Sequence, residues 1–275
     1  MTLVRCCQLA PTLGDLAANA ELSLAAITAA AAAGADVIVL PELVTSGYVF
    51  TSPEELAQVA IPSTHVLFQA WARAAGSAVV VGGFAERAPD GRLFNSAVVV
   101  DATGVLAVYR KVHLWDREKR LFTPGADPPP VVRTRAGLLG VLVCYDLEFP
   151  EMTRYLALAG AELVTVPTNW PLVGRPDDER AAEVTIAMAT ARVNRVAIAF
   201  CDRSGVERGQ AWTEVTGIVD AGGWLVASSG PGTATATAEV DLARSRDKAL
   251  TPEADVFGDR RPDLYAAWAG PKIVR

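Results

Sequence analysis

Cys144 stands where a nucleophilic thiol would be expected. It directly follows the apolar run Leu138–Val143, and the polar segment Tyr145–Glu151 comes next. A strand that ends on a cysteine and turns into a helix presents the sulfur at the rim of a sheet, where α/β enzymes build their sites. The same geometry exposes the nucleophile of hydrolases that have a nucleophile elbow. We therefore expect a reactive thiol at a sheet edge.

A cysteine has an ordinary pKa of about 8.5, so it needs a base or a nearby positive charge to attack near neutrality. The two histidines of the chain, His65 and His113, are one source of such a base. Glu42 is another, since it follows Leu40-Pro41 at the end of the apolar run 36–40, the position that Cys144 occupies in the other half of the chain. A solvated carboxylate at a strand end is the alternative interpretation of Glu42.

Acyl transfer also needs a positive group, because a negative oxygen develops on the substrate. Lys111 follows the strand-like segment 105–110 and is the candidate for that role. His113 stands two residues further on, so both side chains could face the same way in a strand. A surface lysine is the alternative interpretation of Lys111.

Composition favours a globular protein, and we expect neither a metal nor a cofactor. The chain has 275 residues, 51% of them hydrophobic, and a net charge of −6 with scattered basic residues. This argues against nucleic-acid or membrane-surface binding. Four cysteines and two histidines fit neither a disulfide framework nor a zinc site, and Cys6, Cys7 and Cys201 lie in apolar runs typical of buried positions. The N-terminus lacks the apolar core of a signal peptide, so we expect a cytoplasmic protein.

Strand-like and helix-like patterns alternate along the chain. The predicted strands are 2–9, 36–40, 78–83, 95–101, 105–110, 138–143, 162–167, 196–201, 215–220, 224–228 and 235–241. The predicted helices are 15–33, 53–60, 64–75, 151–160 and 178–194. An Ala-Gly-Ala helix stop precedes strands 36–40 and 162–167, and a hairpin signal recurs at 99–106 and 218–225. Two such halves, packed sheet against sheet, predict a four-layer α-β-β-α sandwich within one domain, 1–275, with a core at about 3–250 and a tail at 251–275.

Four segments together resemble the signature regions of the nitrilase superfamily, the carbon–nitrogen hydrolases. They are Pro41-Glu42, Arg110–Leu114, the loop Arg117–Gly125 with Glu118, and Cys144–Glu151. The tail segment Arg260–Tyr265 is also similar to that family. The resemblance implies an α-β-β-α sandwich and a homodimer or higher homo-oligomer.

The resemblance also implies residue roles. Glu42 would be the general base, Lys111 the cation at the developing oxyanion and Cys144 the nucleophile. Glu118 would orient Lys111 and the substrate, and the backbone N–H of Tyr145 would complete the oxyanion hole.

Other residues bear on the substrate. The loop Thr168-Asn169-Trp170 follows strand 162–167 and, by resemblance, lines the pocket opposite the nucleophile; a buried structural tryptophan is the alternative for Trp170. Family members that bind a substrate carboxylate tend to place arginine at position 148 or 147, whereas this chain has Glu148 and Leu147. Glu148 would repel an anionic substrate, which favours neutral or cationic amides. Glu148 could instead pair with Arg154, which we expect to fix the start of the next helix together with Asp146 and Glu151.

The leading hypothesis is therefore an amidase that converts a small neutral aliphatic or aromatic carboxamide to the acid and ammonia through a thioester. A nitrilase and an N-carbamoyl-amine amidohydrolase are alternatives in the same class. A catalytically inactive scaffold or binding protein is the non-enzymatic alternative.

Overall fold

The computed structural model describes residues 1–267 as a mixed α/β fold. Its strands are β1 (Thr2–Gln8), β2 (Val37–Val39), β3 (Val79–Arg87), β4 (Leu93–Asp101), β5 (Gly104–Arg110), β6 (Val131–Thr134), β7 (Gly137–Val141), β8 (Leu163–Pro167), β9 (Ala197–Cys201), β10 (Val206–Glu207), β11 (Gln210–Ala211), β12 (Gly217–Val219), β13 (Leu225–Ser228), β14 (Ala234–Val240), β15 (Ala249–Thr251) and β16 (Ala254–Asp255). Its helices are α1 (Leu16–Ala32), α2 (Pro53–Ala57), α3 (Val66–Ala75), α4 (Glu118–Leu121), α5 (Pro150–Leu158), α6 (Ala182–Asn194) and α7 (Pro262–Ala267).

Two six-stranded sheets form the centre of the molecule. The first has the order β14-β1-β2-β3-β4-β5 and the second the order β13-β12-β9-β8-β7-β6. In each sheet three central strands run parallel, β1-β2-β3 and β7-β8-β9, and antiparallel strands flank them. The predicted hairpins are present as β4–β5 and β12–β13. Strand β14 lies beside β1, so the second half of the chain completes the sheet of the first half.

The side chains of strand β2 show how the four layers pack. Val37 and Val39 belong to a buried cluster shared with the second sheet, while Ile38 belongs to a different cluster with α1 and α3. Successive residues of a strand point to opposite faces of the sheet. The first sheet therefore packs against the second sheet on one face and against helices on the other. The buried cluster that contains Val37 and Val39 also includes residues of α5 and α6. Helices therefore pack on the second sheet as well, which confirms the α-β-β-α sandwich.

The predicted glycine helix stops are also confirmed. Gly34 and Gly160 follow α1 and α5 with φ angles of 81° and 93°, a left-handed conformation that glycine adopts without steric cost. Each lets the chain reverse and enter a buried parallel strand. Among residues 1–267, no helix is both long and apolar enough to cross a membrane.

Several predicted boundaries were wrong. The helix predicted at 178–194 begins only at Ala182, and the acidic and basic residues before it form an exposed irregular segment. Helices 53–60 and 64–75 are shorter than predicted, and strands β6, β10, β11, β15 and β16 and helices α4 and α7 were missed. These elements are short, so they carry too few residues to show a periodic pattern. Of the predicted tail 251–275, residues 268–275 lie outside the described part of the chain.

Candidate active site

Glu42 lies just beyond β2 and is completely buried. Its backbone N–H donates to the carbonyl of Thr168 at 3.3 Å, and the Asn169 side-chain amide donates to the Glu42 carbonyl at 2.9 Å. A Cβ atom on Gly83 would lie 2.5 Å from the Glu42 Cα, so β3 needs a glycine there for the segment to approach. The interpretation of Glu42 as a solvated carboxylate was wrong.

Lys111 follows β5 and places its ammonium group between two carboxylates. The Lys111 Nζ donates to Glu42 Oε1 at 2.7 Å and to Glu118 Oε1 at 2.9 Å. All three side chains are almost fully buried. Gly125 secures the backbone here, since its N–H donates to the Lys111 carbonyl at 2.8 Å. The interpretation of Lys111 as a surface lysine was therefore wrong.

Two residues that the sequence analysis did not single out, Asn95 and Tyr48, complete this cluster. The Asn95 amide donates to Glu42 Oε1 at 2.7 Å and to Glu118 Oε1 at 3.3 Å, and the Tyr48 hydroxyl donates to Glu118 Oε1 at 2.6 Å. The other Glu118 oxygen accepts from the backbone N–H of Trp115. Asn95 had a signal, because it is a buried polar residue in the otherwise largely apolar strand β4. No feature of the sequence marked Tyr48 apart from its place in a turn-like stretch.

Cys144 begins a short 3₁₀ turn, Cys144–Glu148, that connects β7 to α5. Its φ angle is 49°, a conformation that is uncommon outside glycine and that often marks a functional site. Cys144 is buried, yet it lines a cavity of about 160 Å³. The thiol thus lies just beyond the end of β7, near the predicted strand end, and it begins a 3₁₀ turn where an α-helix was expected.

Asp146 stabilises this turn through hydrogen bonds to its carboxylate. Its carboxylate accepts hydrogen bonds from the backbone N–H of Val143 at 3.2 Å, the Tyr109 hydroxyl at 2.9 Å and the backbone N–H of His113 at 3.0 Å. The His113 ring lies 2.9 Å from Asp146 through Nδ1 and stacks on Phe149. His113 therefore supports the turn and does not point with Lys111 toward the carboxylates. His65 has a different role, because its Nδ1 caps the N-terminus of α3.

Burial and neighbouring charges determine which groups of the cluster carry a proton. Burial raises the pKa of Glu42 to about 7, an effect that Lys111 opposes and Glu118 reinforces. Burial alone would favour the neutral amine of Lys111, but the carboxylates of Glu118 and Glu42 hold the pKa of Lys111 well above its usual range. Burial, together with the Glu42 carboxylate, raises the pKa of the Cys144 thiol well above its ordinary value. At neutral pH this favours a charged lysine, a neutral thiol and a carboxylate that can accept a proton.

The predicted substrate-binding residues have different positions. Tyr145, Glu148 and Trp170 line the same cavity as Cys144, whereas Thr168 and Asn169 are buried beside Glu42. Only 3% of the Trp170 surface is exposed. Trp170 is therefore both a buried structural residue and part of the pocket wall.

The alternative interpretation, in which Glu148 pairs with Arg154, was wrong. The Arg154 guanidinium donates to the Val193 carbonyl at 2.9 Å and lies over the Phe257 ring. Glu148 has no ion-pair partner among residues 1–267.

A second, larger cavity of about 340 Å³ adjoins the first. Glu118 and Tyr48 lie on its wall, and Trp115 and Pro171 line both cavities. Trp212 packs edge-on against Tyr48 with ring centroids 5.2 Å apart. Glu118 therefore borders the larger cavity and Cys144 the smaller one.

Tyr48 is itself fixed by a buried ion pair. Glu207 Oε2 accepts from the backbone N–H groups of Tyr48 and Val49 at 2.9 and 2.5 Å, and Glu207 Oε1 accepts from Arg203 at 2.7 Å. The Arg203 guanidinium also lies over the Trp212 ring, 4.7 Å from its centroid. The small hairpin β10–β11 thus supports the residue that contacts Glu118.

No group of three or more potential metal ligands occurs among residues 1–267. The arrangement that does occur, a buried thiol beside a carboxylate–lysine–carboxylate cluster, is suited to acyl transfer.

The sequence profile of the carbon–nitrogen hydrolase family matches residues 3–249. The chain belongs to the nitrilase superfamily. By this membership it is a hydrolase of non-peptide C–N bonds. The chain is 37% identical to a Pseudomonas "(R)-stereoselective amidase", with 92% of this chain and 89% of the relative aligned. It is 36% identical to a "Nitrilase" of Pyrococcus abyssi, with 84% and 87% aligned.

Solved structures of superfamily members agree with the fold. A mutant of the amidase from Nesterenkonia sp. AN1, which shows the result of Michael addition of acrylamide at its active-site cysteine, superposes with a TM-score of 0.81. The two chains are 29% identical, and the alignment covers 98% of this chain and 100% of that chain. Another mutant of the same amidase, in complex with butyramide, gives a TM-score of 0.78 at 29% identity, covering 97% of each chain.

Proposed function

We propose that the protein is a cysteine-dependent amidase that converts a small neutral aliphatic or aromatic carboxamide to the acid and ammonia. The observation that carries this proposal is the buried Glu42–Lys111–Glu118 cluster beside Cys144. The backbone of Cys144 has a strained positive φ angle, and Cys144 lines a cavity of about 160 Å³. A cavity of this volume suits a small substrate. The similarity to amidases, one of them solved with butyramide, supports the same substrate class.

In the first half of the reaction, Glu42 takes the thiol proton and the Cys144 sulfur bonds to the amide carbon. The carbonyl π electrons move to oxygen, and the Lys111 ammonium and the Tyr145 N–H stabilise this oxyanion. The oxyanion then collapses, the C–N bond breaks, and Glu42 returns its proton to the departing ammonia. A thioester on Cys144 remains. The pKa of Glu42 at about 7 suits a group that must both accept and donate a proton near neutrality.

In the second half, Glu42 removes a proton from a water molecule, which attacks the thioester carbon. Lys111 and the Tyr145 N–H stabilise the second oxyanion. The C–S bond breaks, the thiolate takes the proton back, and the acid leaves. Throughout, Glu118, with Tyr48 and Asn95 bound to it, keeps the Lys111 ammonium in place and so acts as a positioning residue.

The walls of the pocket come from Trp170 and Tyr145, which both line the cavity with Cys144. The Thr168-Asn169 segment contributes by holding the backbone of Glu42 and by directing the Asn169 N–H toward the thiol. We assign Thr168 and Asn169 to this supporting role.

A nitrile is the second candidate substrate, because the Pyrococcus abyssi relative is a "Nitrilase". The same residues could attack a C≡N carbon. The direct test measures ammonia release from butyramide and butyronitrile under identical conditions. We expect release from butyramide to dominate, and faster release from the nitrile would overturn the choice of amide. A carbamoyl amine belongs in the same assay, since carbon dioxide released with ammonia would identify that activity instead.

Cysteine variants test the nucleophile. Cys144→Ala should abolish ammonia release, whereas Cys201→Ala should retain it, because Cys201 is buried within β9. Iodoacetamide should inactivate the wild-type protein and modify Cys144. An unreactive Cys144 in a protein without turnover on any of these substrates would instead indicate an inactive scaffold.

We also propose that residues 1–275 form one catalytic domain. Glu42 and Lys111 precede the proline-rich loop 124–130, and Cys144 follows it, so neither side of the loop contains the whole cluster. A homodimer through the outer helices remains a prediction. The exposed side chains of Tyr155 and Leu158 on α5 and of Val193 on α6 support it, and light scattering coupled to size exclusion would test it.

A further inference from the structure

The cavity that contains Cys144 has two carboxylates on its wall. Glu148 lies at the end of the 3₁₀ turn that begins with Cys144, and Glu183 lies in the first turn of α6. Both groups line the same cavity, and burial and then the charge of Glu183 raise the pKa of Glu148. A negative potential therefore acts on any molecule that enters this cavity.

No positive side chain in the described part of the chain, residues 1–267, forms an ion pair with either carboxylate. The nearby Arg154 is engaged by the Val193 carbonyl. Other carboxylates at the edges of the site do have partners; Glu207, for example, is bound by Arg203 and Glu55 by Arg208. Glu148 and Glu183, which line the cavity with Cys144, differ from these paired carboxylates.

The rest of the wall is also suited to a cation. Trp115, Tyr145 and Trp170 line the same cavity, and Trp115 and Tyr145 meet edge to face with centroids 4.8 Å apart. The faces of aromatic rings attract ammonium groups, most strongly where water is partly excluded. Aromatic rings alone would suit any apolar acyl group. Aromatic rings combined with two unpaired carboxylates favour an acyl group that ends in a positive charge.

We propose that the enzyme prefers carboxamides whose acyl chain carries a protonated amine, bound by Glu148 and Glu183 between the aromatic side chains of the Cys144 cavity. This inference rests on the proposed amidase function, but it replaces the neutral carboxamide of that proposal with a cationic one as the preferred substrate. The scissile amide lies against Cys144 and Lys111, and the chain extends along the cavity toward the two carboxylates. Anionic amides are rejected by the same charges.

Three amides of similar length test the proposal. 5-Aminopentanamide is cationic, hexanamide replaces its ammonium with a methyl group, and glutaramate ends in a carboxylate. We expect kcat/KM for 5-aminopentanamide to exceed that for hexanamide by about tenfold at low salt, the size expected for two partly solvated charges, and glutaramate to be the poorest substrate. The preference for the cation should shrink as salt is added. Equal values for 5-aminopentanamide and hexanamide would overturn the proposal.

Variants identify the groups responsible. Glu148→Gln and Glu183→Gln should each lower the ratio of kcat/KM for 5-aminopentanamide to that for hexanamide, and the double variant should bring it close to one. Glu151→Gln is the matched control, because Glu151 is exposed on α5 and does not line the cavity; it should keep the wild-type ratio. A ratio that survives in the double variant would refute the role of these carboxylates.

A binding measurement separates this inference from the proposed function. Calorimetry on the Cys144→Ala protein compares the affinities of 5-aminopentanamide and hexanamide without turnover. Hydrolysis of hexanamide by the wild-type protein without any preference for the cation, in turnover or binding, would refute only the inference. Failure of the wild-type protein to hydrolyse any amide would refute the proposed function, and calorimetry would still decide whether the cavity selects cations.

Discussion

Two buried ion-pair clusters lie side by side in this protein, and they differ in how completely their oxygens are satisfied. Both oxygens of Glu207 accept hydrogen bonds, one from Arg203 and the other from the backbone N–H groups of Tyr48 and Val49. Glu42 uses only Oε1, which Lys111 and Asn95 share. Its other oxygen, Oε2, is buried without a hydrogen-bond partner among residues 1–267.

This difference distinguishes a cluster that stabilises the fold from a cluster that takes part in the reaction. A buried carboxylate with every lone pair occupied fixes the chain around it, because breaking any of its contacts leaves a buried polar group unpaired. A buried carboxylate with a free oxygen has a raised pKa and remains available to take a proton. We therefore expect the Glu207 cluster to govern stability and the Glu42 cluster to govern turnover.

Among variants of these two clusters, the largest effect should come from Glu42→Gln. The amide cannot act as a base, so kcat/KM should fall by roughly 10²–10⁴. The free energy of unfolding should not fall, because the substitution removes a buried negative charge and leaves Lys111 paired with Glu118. Amidase assays and urea denaturation of the same preparation measure the two quantities. A variant that loses stability but keeps its activity would reverse the roles of the two clusters.

Lys111→Met should lower kcat by roughly 10²–10³, because an oxyanion donor is lost. Unlike Glu42→Gln, it should also destabilise the fold by about 3–5 kcal/mol, since Glu42 and Glu118 are left buried without their cation. The exposed Lys119 on α4 provides the control. Lys119→Met should change the free energy of unfolding by less than about 0.5 kcal/mol. Normal turnover in Lys111→Met would remove this residue from the proposed mechanism.

The rate should depend on pH through Glu42. The pKa of Glu42 is raised to about 7, so its base form is lost as pH falls through that value. At pH 5 only about one-hundredth of it would be ionised, and kcat/KM should be roughly a hundredfold below its plateau. The sign for stability is opposite: a raised pKa favours the protonated form in the folded state, and that contribution is lost as pH rises through about 7. A rate that stays constant from pH 8 to pH 5 would exclude Glu42 as the base.

The smallest effect on turnover should come from Glu207→Gln. Its side-chain NH₂ would face either Arg203 or the backbone donors of residues 48 and 49, so we expect a loss of about 3 kcal/mol in stability. Activity should fall only about tenfold, through displacement of Tyr48. The control is Glu55→Gln, since Glu55 also binds an arginine but is partly exposed; it should cost about 1 kcal/mol or less. A hundredfold loss of activity at unchanged stability would make Glu207 part of the chemistry.

The sequence predicted the fold and pointed to two of the candidates, Glu42 and Cys144, because each of them follows a buried apolar run. Apolar runs located the central strands, and the polar residue after each run, Glu42 or Cys144, had to lie at a sheet edge. The resemblance to a family then connected them with Lys111 and Glu118. These are local signals, which a short stretch of sequence can carry.

The supporting contacts could not be predicted in this way. Asn95 lies 53 residues from Glu42, Tyr48 lies 70 residues from Glu118, and Glu207 lies 158 residues from Val49. Such pairs form only when the sheets pack together. The alternative interpretation of Glu148 as a partner of Arg154 was wrong for the opposite reason. Nearness in sequence suggested a pair, but a 3₁₀ turn and the start of α5 direct Arg154 to α6.

The central claim is that Cys144 carries the acyl group. Wild-type protein mixed with butyramide and quenched in acid during turnover should show a butyryl adduct on the peptide that contains Cys144, detected by mass spectrometry. Peptides with Cys6, Cys7 and Cys201 should stay unmodified, since these thiols are buried in strands. The adduct should be absent in Cys144→Ala. Turnover of butyramide in Cys144→Ala, or an adduct on another residue, would contradict the account.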